Sequence, residues 1–73
     1  MLSDTIFEAI EILYEAVRYY NTDDYKNELI NNITDLGYLL YRLDNENITL
    51  SKEQYKTKYV LKRWNDEFKR KID

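Results

Sequence analysis

Residues 3–20, SDTIFEAIEILYEAVRYY, decide the fold of this chain. Ile6, Ile10, Leu13, Val17 and Tyr20 recur at spacings of four and three, which is one face of an α-helix. Ser3, and Thr5 with Glu8 three residues on, offer side-chain caps for its start. The apolar surface extends well beyond that face. At about 100° per residue, Asp4, Glu8, Glu11, Glu15 and Arg18 collect in one polar strip. Phe7 and Tyr14 flank the apolar stripe on one side, and Ala9, Ile12, Ala16 and Tyr19 form a seam on the other. A surface helix needs an apolar stripe a little over 100° wide, and this one spans about twice that. Two arrangements absorb the excess. Either the helix is central and covered on both sides by its neighbours, or Ile12, Ala16 and Tyr19 stay exposed and meet a partner or a second copy of the chain. That seam is the first candidate interaction site.

Beyond this helix, Asn21 and Thr22 interrupt the pattern, Thr22 or Asp23 can cap a second helix, and Asp23 and Asp24 place negative charge at its positive end. Tyr25, Leu29, Ile33, Leu36, Leu40 and Leu43 make its inward stripe, running to Asp44. Gly37 lies in the middle, where glycine costs about 1 kcal/mol relative to alanine, so another element is expected to approach closely there. After a polar loop at Asn45-Glu46-Asn47, the run Leu50-Ser51-Lys52-Glu53-Gln54-Tyr55 carries a capping box, Ser51 with Gln54, and a Leu50 to Tyr55 staple. The third helix then turns Val60, Leu61, Trp64, Phe68 and Ile72 inward. The expected fold is all-α: residues 1–73 form a single domain, a compact three-helix antiparallel bundle with helices at roughly residues 3–20, 23–44 and 52–71.

Composition narrows the chemistry. With 73 residues and neither cysteine nor histidine, the chain has no disulfide, no thiolate ligand, and neither the commonest general base nor the commonest nitrogen ligand for metals. Glu8, Glu11 and Glu15 share a helix face, yet they occupy its most polar strip, and the Glu-x-x-His element of carboxylate-bridged metal bundles cannot be made. Asp44-Asn45-Glu46-Asn47 lacks the glycine and the twelfth-position glutamate of a calcium loop. No glycine-rich phosphate cradle is present. The chain is therefore read as no enzyme, with no cofactor, no metal and no small-molecule substrate. Charges break every apolar run before the roughly 20 residues a membrane span needs, and no secretory signal opens the chain, so a cytoplasmic location with no membrane partner is expected. The abundance of Asn, Ile, Lys and Tyr resembles proteins of low-GC genomes, their phages and plasmids.

The net charge of −3 conceals a dipolar molecule, because residues 1–51 carry three basic and ten acidic side chains whereas residues 52–73 carry eight basic and four acidic. Lys52, Tyr55, Lys56, Tyr59, Lys62, Arg63 and Arg70 spread over the outward half of the third helix and form the second candidate site, for a protein partner or a nucleic acid. The plainer alternative is a solvated face that pairs with the acidic strip of the first helix. Among the eight tyrosines, Tyr38 falls opposite the core stripe of the second helix, and Tyr55 and Tyr59 fall opposite Trp64, where exposed rings favour protein contacts. The functional expectation is a small non-catalytic protein-interaction module, a regulator or inhibitor from a phage or mobile element that binds a host protein. The alternatives are a nucleic-acid-binding accessory protein using the basic face, or a homo-oligomeric structural module, such as a homodimer joined through the first helix.

Overall fold

The three periodic segments form three helices in the computed structural model, which describes residues 1–71. Helix α1 spans Leu2–Tyr19, and a 3-10 turn at Asp23–Tyr25 leads into α2, Lys26–Asp44. The third helix is assembled from α3 (Lys52–Tyr55), a π-helical segment (Lys56–Val60) and α4 (Leu61–Lys69). It ends at Lys69 rather than residue 71, and the inward position expected for Ile72 lies outside the described residues. No strand forms among the described residues.

Side-chain pairs set the direction of each helix. Glu11 and Arg18 of α1 meet Arg63 and Glu67 in ascending order, so the third helix runs parallel to α1. Asn31 and Asp35 of α2 meet Lys56 and Lys52 in descending order, so it runs antiparallel to α2. The result is an up-down-up bundle measuring 41 × 26 × 18 Å. Its thinnest dimension is about two helix diameters, one layer for the α1/α2 hairpin and one for the helix laid against it.

The core consists of Ile6, Ile10, Tyr14 and Val17 from α1, Leu29, Ile30 and Ile33 from α2, and Val60 and Trp64 from the third helix. The buried arc of α2 is turned from the expected stripe: Ile30, Thr34 and Gly37 are enclosed, whereas Tyr25 and Leu43 are exposed. The reason is that the third helix covers only one flank of α2 and draws the buried arc toward itself. Thr34 tolerates burial because its hydroxyl donates to the Ile30 carbonyl at 2.7 Å. Phe68 is likewise exposed and not inward, and Glu67 takes the buried place beside it.

The capping box forms as the spacing predicts: Ser51 Oγ accepts from the Gln54 amide and Gln54 Oε1 accepts from the Ser51 amide. The other expected caps do not form. Ser3 and Thr5 lie inside α1, which starts from Met1 without a side-chain cap. Ahead of α2, Asn21 Oδ1 accepts from the Asp23 amide at 3.1 Å, and Thr22 is buried without capping.

Candidate interaction surface

A regular helical wheel sets Tyr55 opposite Trp64, but the π segment between them acts as one inserted residue and rotates everything before it by about 100°. Tyr55 therefore swings onto α2. Its ring lies over Gly37 so closely that a Cβ there would stand 2.8 Å from Tyr55 Oη and 2.9 Å from Cε1. The rings of Tyr38, Tyr41 and Tyr59 surround it, with centroids 5.9, 5.7 and 5.2 Å away, and burial pushes the Tyr55 phenol above its ordinary pKa. Tyr38, expected on the outer face, is half-buried and donates to the Leu50 carbonyl at 2.8 Å. Tyr41 Oη accepts from the Thr49 and Leu50 amides at 3.0 and 3.2 Å. The Thr49 hydroxyl and these amides hold the Tyr41 phenol below the usual tyrosine range. Four of the eight tyrosines thus fasten the loop at 45–51 and the start of the third helix to α2.

Most of the basic face is consumed in the same way. Lys52 pairs with Asp35, and Lys56 Nζ donates to Asn31 Oδ1 at 3.4 Å. Arg63 donates to Glu11 at 3.0 Å, approaches Glu67 at 3.5 Å and stacks 4.5 Å from the centre of the Tyr14 ring. Glu67, fully enclosed, also accepts from Arg18 at 2.5 Å and from Arg70 at 3.2 Å. Burial by itself would raise the Glu67 carboxyl, but the Arg18 and Arg63 guanidiniums outweigh it and hold the pKa below the ordinary value. Burial pushes the Tyr14 phenol up to about 12, against the opposing charge of Arg63. Of the basic residues expected at the site, Lys62 alone lacks such a partner among the described residues. With Lys58 and Lys69 it leaves a thin stripe beside the exposed Tyr59, and Asp66 interrupts that stripe.

Phe7, Tyr14, Tyr59 and Arg63 border a groove of about 280 Å³ between α1 and the third helix. Its charged groups, Arg63 and Glu11, neutralise one another. Among the described residues no group of three or more carboxylates could hold a metal, and no helix is long and apolar enough to cross a membrane.

The opposite side of the molecule differs. The third helix covers the flank of α1 that carries Glu11, Tyr14 and Arg18, and the flank of α2 that carries Gly37, Tyr38 and Tyr41. By helical position, Leu2, Ala9, Ile12, Leu13 and Ala16 of α1 and Leu36, Leu39 and Leu43 of α2 fall on the other two flanks, together with the exposed polar residues Thr5 and Asn32. Ile12 is 64% exposed, Leu2 66%, Leu39 43% and Leu43 51%. Ala9, Leu13, Ala16 and Leu36 are half-buried beneath them. Tyr19, 57% exposed, stands at the α1 edge with the Arg18 guanidinium 5.9 Å from its ring. The neighbouring helices therefore leave Ile12 and Tyr19 of the expected seam uncovered and Ala16 half-buried, and uncovered side chain on this face amounts to on the order of 500 Å². Leu39 and Leu43 were missed as members of this face. Their signal was present in the spacing of Leu36, Leu39, Leu40 and Leu43, which supplies two adjacent stripes where one is needed for the core.

The rim of the face is acidic. Glu8 and Glu15 border its α1 edge and Glu28 its α2 edge, none with an ion-pair partner among the described residues. Arg42 is the cation on the α2 side. Compared with protein-family models, with curated proteins and with solved structures, the chain matches none.

Proposed function

We propose that the protein is a non-catalytic protein-interaction module that docks a partner protein through the hairpin face centred on Ile12, Leu39 and Leu43. The observation that carries this reading is the exposure of those side chains on the one side of the hairpin that the third helix leaves bare. Covering about 500 Å² of such surface recovers on the order of 10 kcal/mol before the costs of association. A module of this size acts by occupying a site on its partner, the mode of a small regulator or inhibitor. An origin in a phage or mobile element remains a matter of composition. Nucleic-acid binding through the third helix is disfavoured because Lys52, Lys56, Arg63 and Arg70 are already engaged within the molecule.

Photo-crosslinking in the source cells tests the proposal, with a photoreactive residue placed at Ile12 or Leu39 and, as a control, at Lys62. Adducts with another protein from the first two positions, and none from Lys62, are expected. Adducts with RNA or DNA from Lys62, or none from Ile12 and Leu39, would overturn it. Adducts with a second copy alone would replace it by self-association.

A further inference from the structure

Granting that the hairpin face is a docking surface, its surroundings say what fits it. The face runs along α1 and α2, helices of 18 and 19 residues. At 1.5 Å per residue its length is about 27 Å, that of one partner helix of similar size. Leu13, Leu36, Ala9 and Ala16 are its half-buried members, and the small alanine side chains let a helix lie close. Glu8, Glu15 and Glu28 have no ion-pair partner among the described residues; of the cations near the face, Arg18 pairs with Glu67 and the Met1 ammonium with Asp4, which leaves Arg42.

The opposite side of the same hairpin shows what such a surface accepts. There the third helix, which with its tail carries eight of the eleven basic residues of the chain, lies against α1 and α2. It offers Val60 and Trp64 to the core, and it is flanked by Arg63 on Glu11 and Lys52 on Asp35. Both sides of the hairpin thus combine an apolar centre with acidic borders, and one of them already holds a basic amphipathic helix.

We infer that the exposed face binds a basic amphipathic helix of a partner protein, with aliphatic side chains at helical spacing laid on Leu13, Leu36 and Leu39 and Lys or Arg flanking them toward Glu8, Glu15 and Glu28. A second copy joined face to face would set one acidic rim against the other, which repels. Nucleic-acid phosphates and anionic lipid headgroups meet the same repulsion.

Selection on the intact protein from a displayed library of amphipathic helices of about 18 residues, with a fixed leucine stripe and flanks randomised among Lys, Arg, Glu, Gln and Ser, reads the occupant directly. Enriched helices should carry Lys or Arg on both flanks. Leu39→Asp or Ile12→Asp, both at exposed positions, should weaken them about tenfold or more, whereas Lys62→Asp should not. The triple variant Glu8→Lys, Glu15→Lys, Glu28→Lys should turn the preference toward acidic flanks. Enrichment of neutral or acidic flanks on the native protein would overturn the basic-helix inference while leaving a docking face intact. Binders indifferent to Leu39→Asp and Ile12→Asp, or no binders from the library, would overturn the inference too, and the crosslinks from Ile12 and Leu39 then decide separately whether the face docks a protein at all.

Discussion

Replacing Gly37 with alanine tests how the third helix is seated. In an exposed helix interior the change stabilises by about 1 kcal/mol, because alanine loses less backbone entropy. Here the added methyl would stand 2.8 and 2.9 Å from Tyr55 Oη and Cε1, inside van der Waals contact. Turning Tyr55 away would disturb its packing on the rings of Tyr38, Tyr41 and Tyr59, whose centroids lie 5.2 to 5.9 Å from its own. Overpacking of this kind costs about 1–3 kcal/mol. Set against the gain in propensity, Gly37→Ala should destabilise the protein by about 1 kcal/mol, lowering the melting temperature by roughly 4–8 °C for a domain this small. In a Tyr55→Ala background the obstacle is gone, and the same substitution should stabilise by about 1 kcal/mol. The coupling energy from urea unfolding of the four proteins should thus be about 2 kcal/mol. If Gly37→Ala stabilised the parent and the Tyr55→Ala variant alike, Tyr55 would not lie over Gly37, and the rotation attributed to the π segment would fall with it.

Other consequences are independent of that contact. Glu67→Gln removes the charge on which Arg18, Arg63 and Arg70 converge, so it should lower the stability at pH 7 measured by urea unfolding. The native pKa of Glu67 lies below that of the unfolded chain, about 4.3. Its contribution is therefore complete above that value and lost as pH falls through the lower native one, and the variant should show a flatter stability curve across that acid range. Tyr41→Phe removes the acceptor of the Thr49 and Leu50 amides; their hydrogen exchange should accelerate, with about 1 kcal/mol or less of global destabilisation. In a spectrophotometric alkaline titration Tyr14 should ionise near 12. Because the unfolded phenol titrates near 10, the stability it provides is present below pH 10 and declines between 10 and 12. Leu39→Asp, in the absence of any partner, should change stability by no more than about 0.5 kcal/mol, as for other exposed positions.

The helices were legible because their cause is local. Ile6, Ile10, Leu13 and Val17 keep helical spacing whatever surrounds them, and the Ser51 and Gln54 box needs only the residues between them. Ends without a strong local signal were not legible, and Ser3, Thr5 and Thr22 were read as caps that the chain does not use. Faces beyond the π segment were hidden for a geometric reason: a wheel drawn at a constant angle per residue carries Tyr55 to the wrong side once five residues depart from that angle. The buried place of Glu67 was masked by Phe68 next to it, although Arg63 and Arg70, four before and three after, stand at helical reach of a carboxylate. The over-wide apolar surface of α1 was visible in composition, but its continuation across Leu39 and Leu43 depended on which flank of α2 the third helix chose.

Hydroxyl-radical footprinting of the isolated protein at low concentration, and of the same protein inside its source cells, tests the central claim most directly. Leu2, Ile12, Leu39 and Leu43 should be labelled strongly in isolation and protected in the cell, while Ile33 and Val60 stay protected in both. Equal labelling of the four residues in both settings, or their protection already in the isolated monomer, would contradict the account.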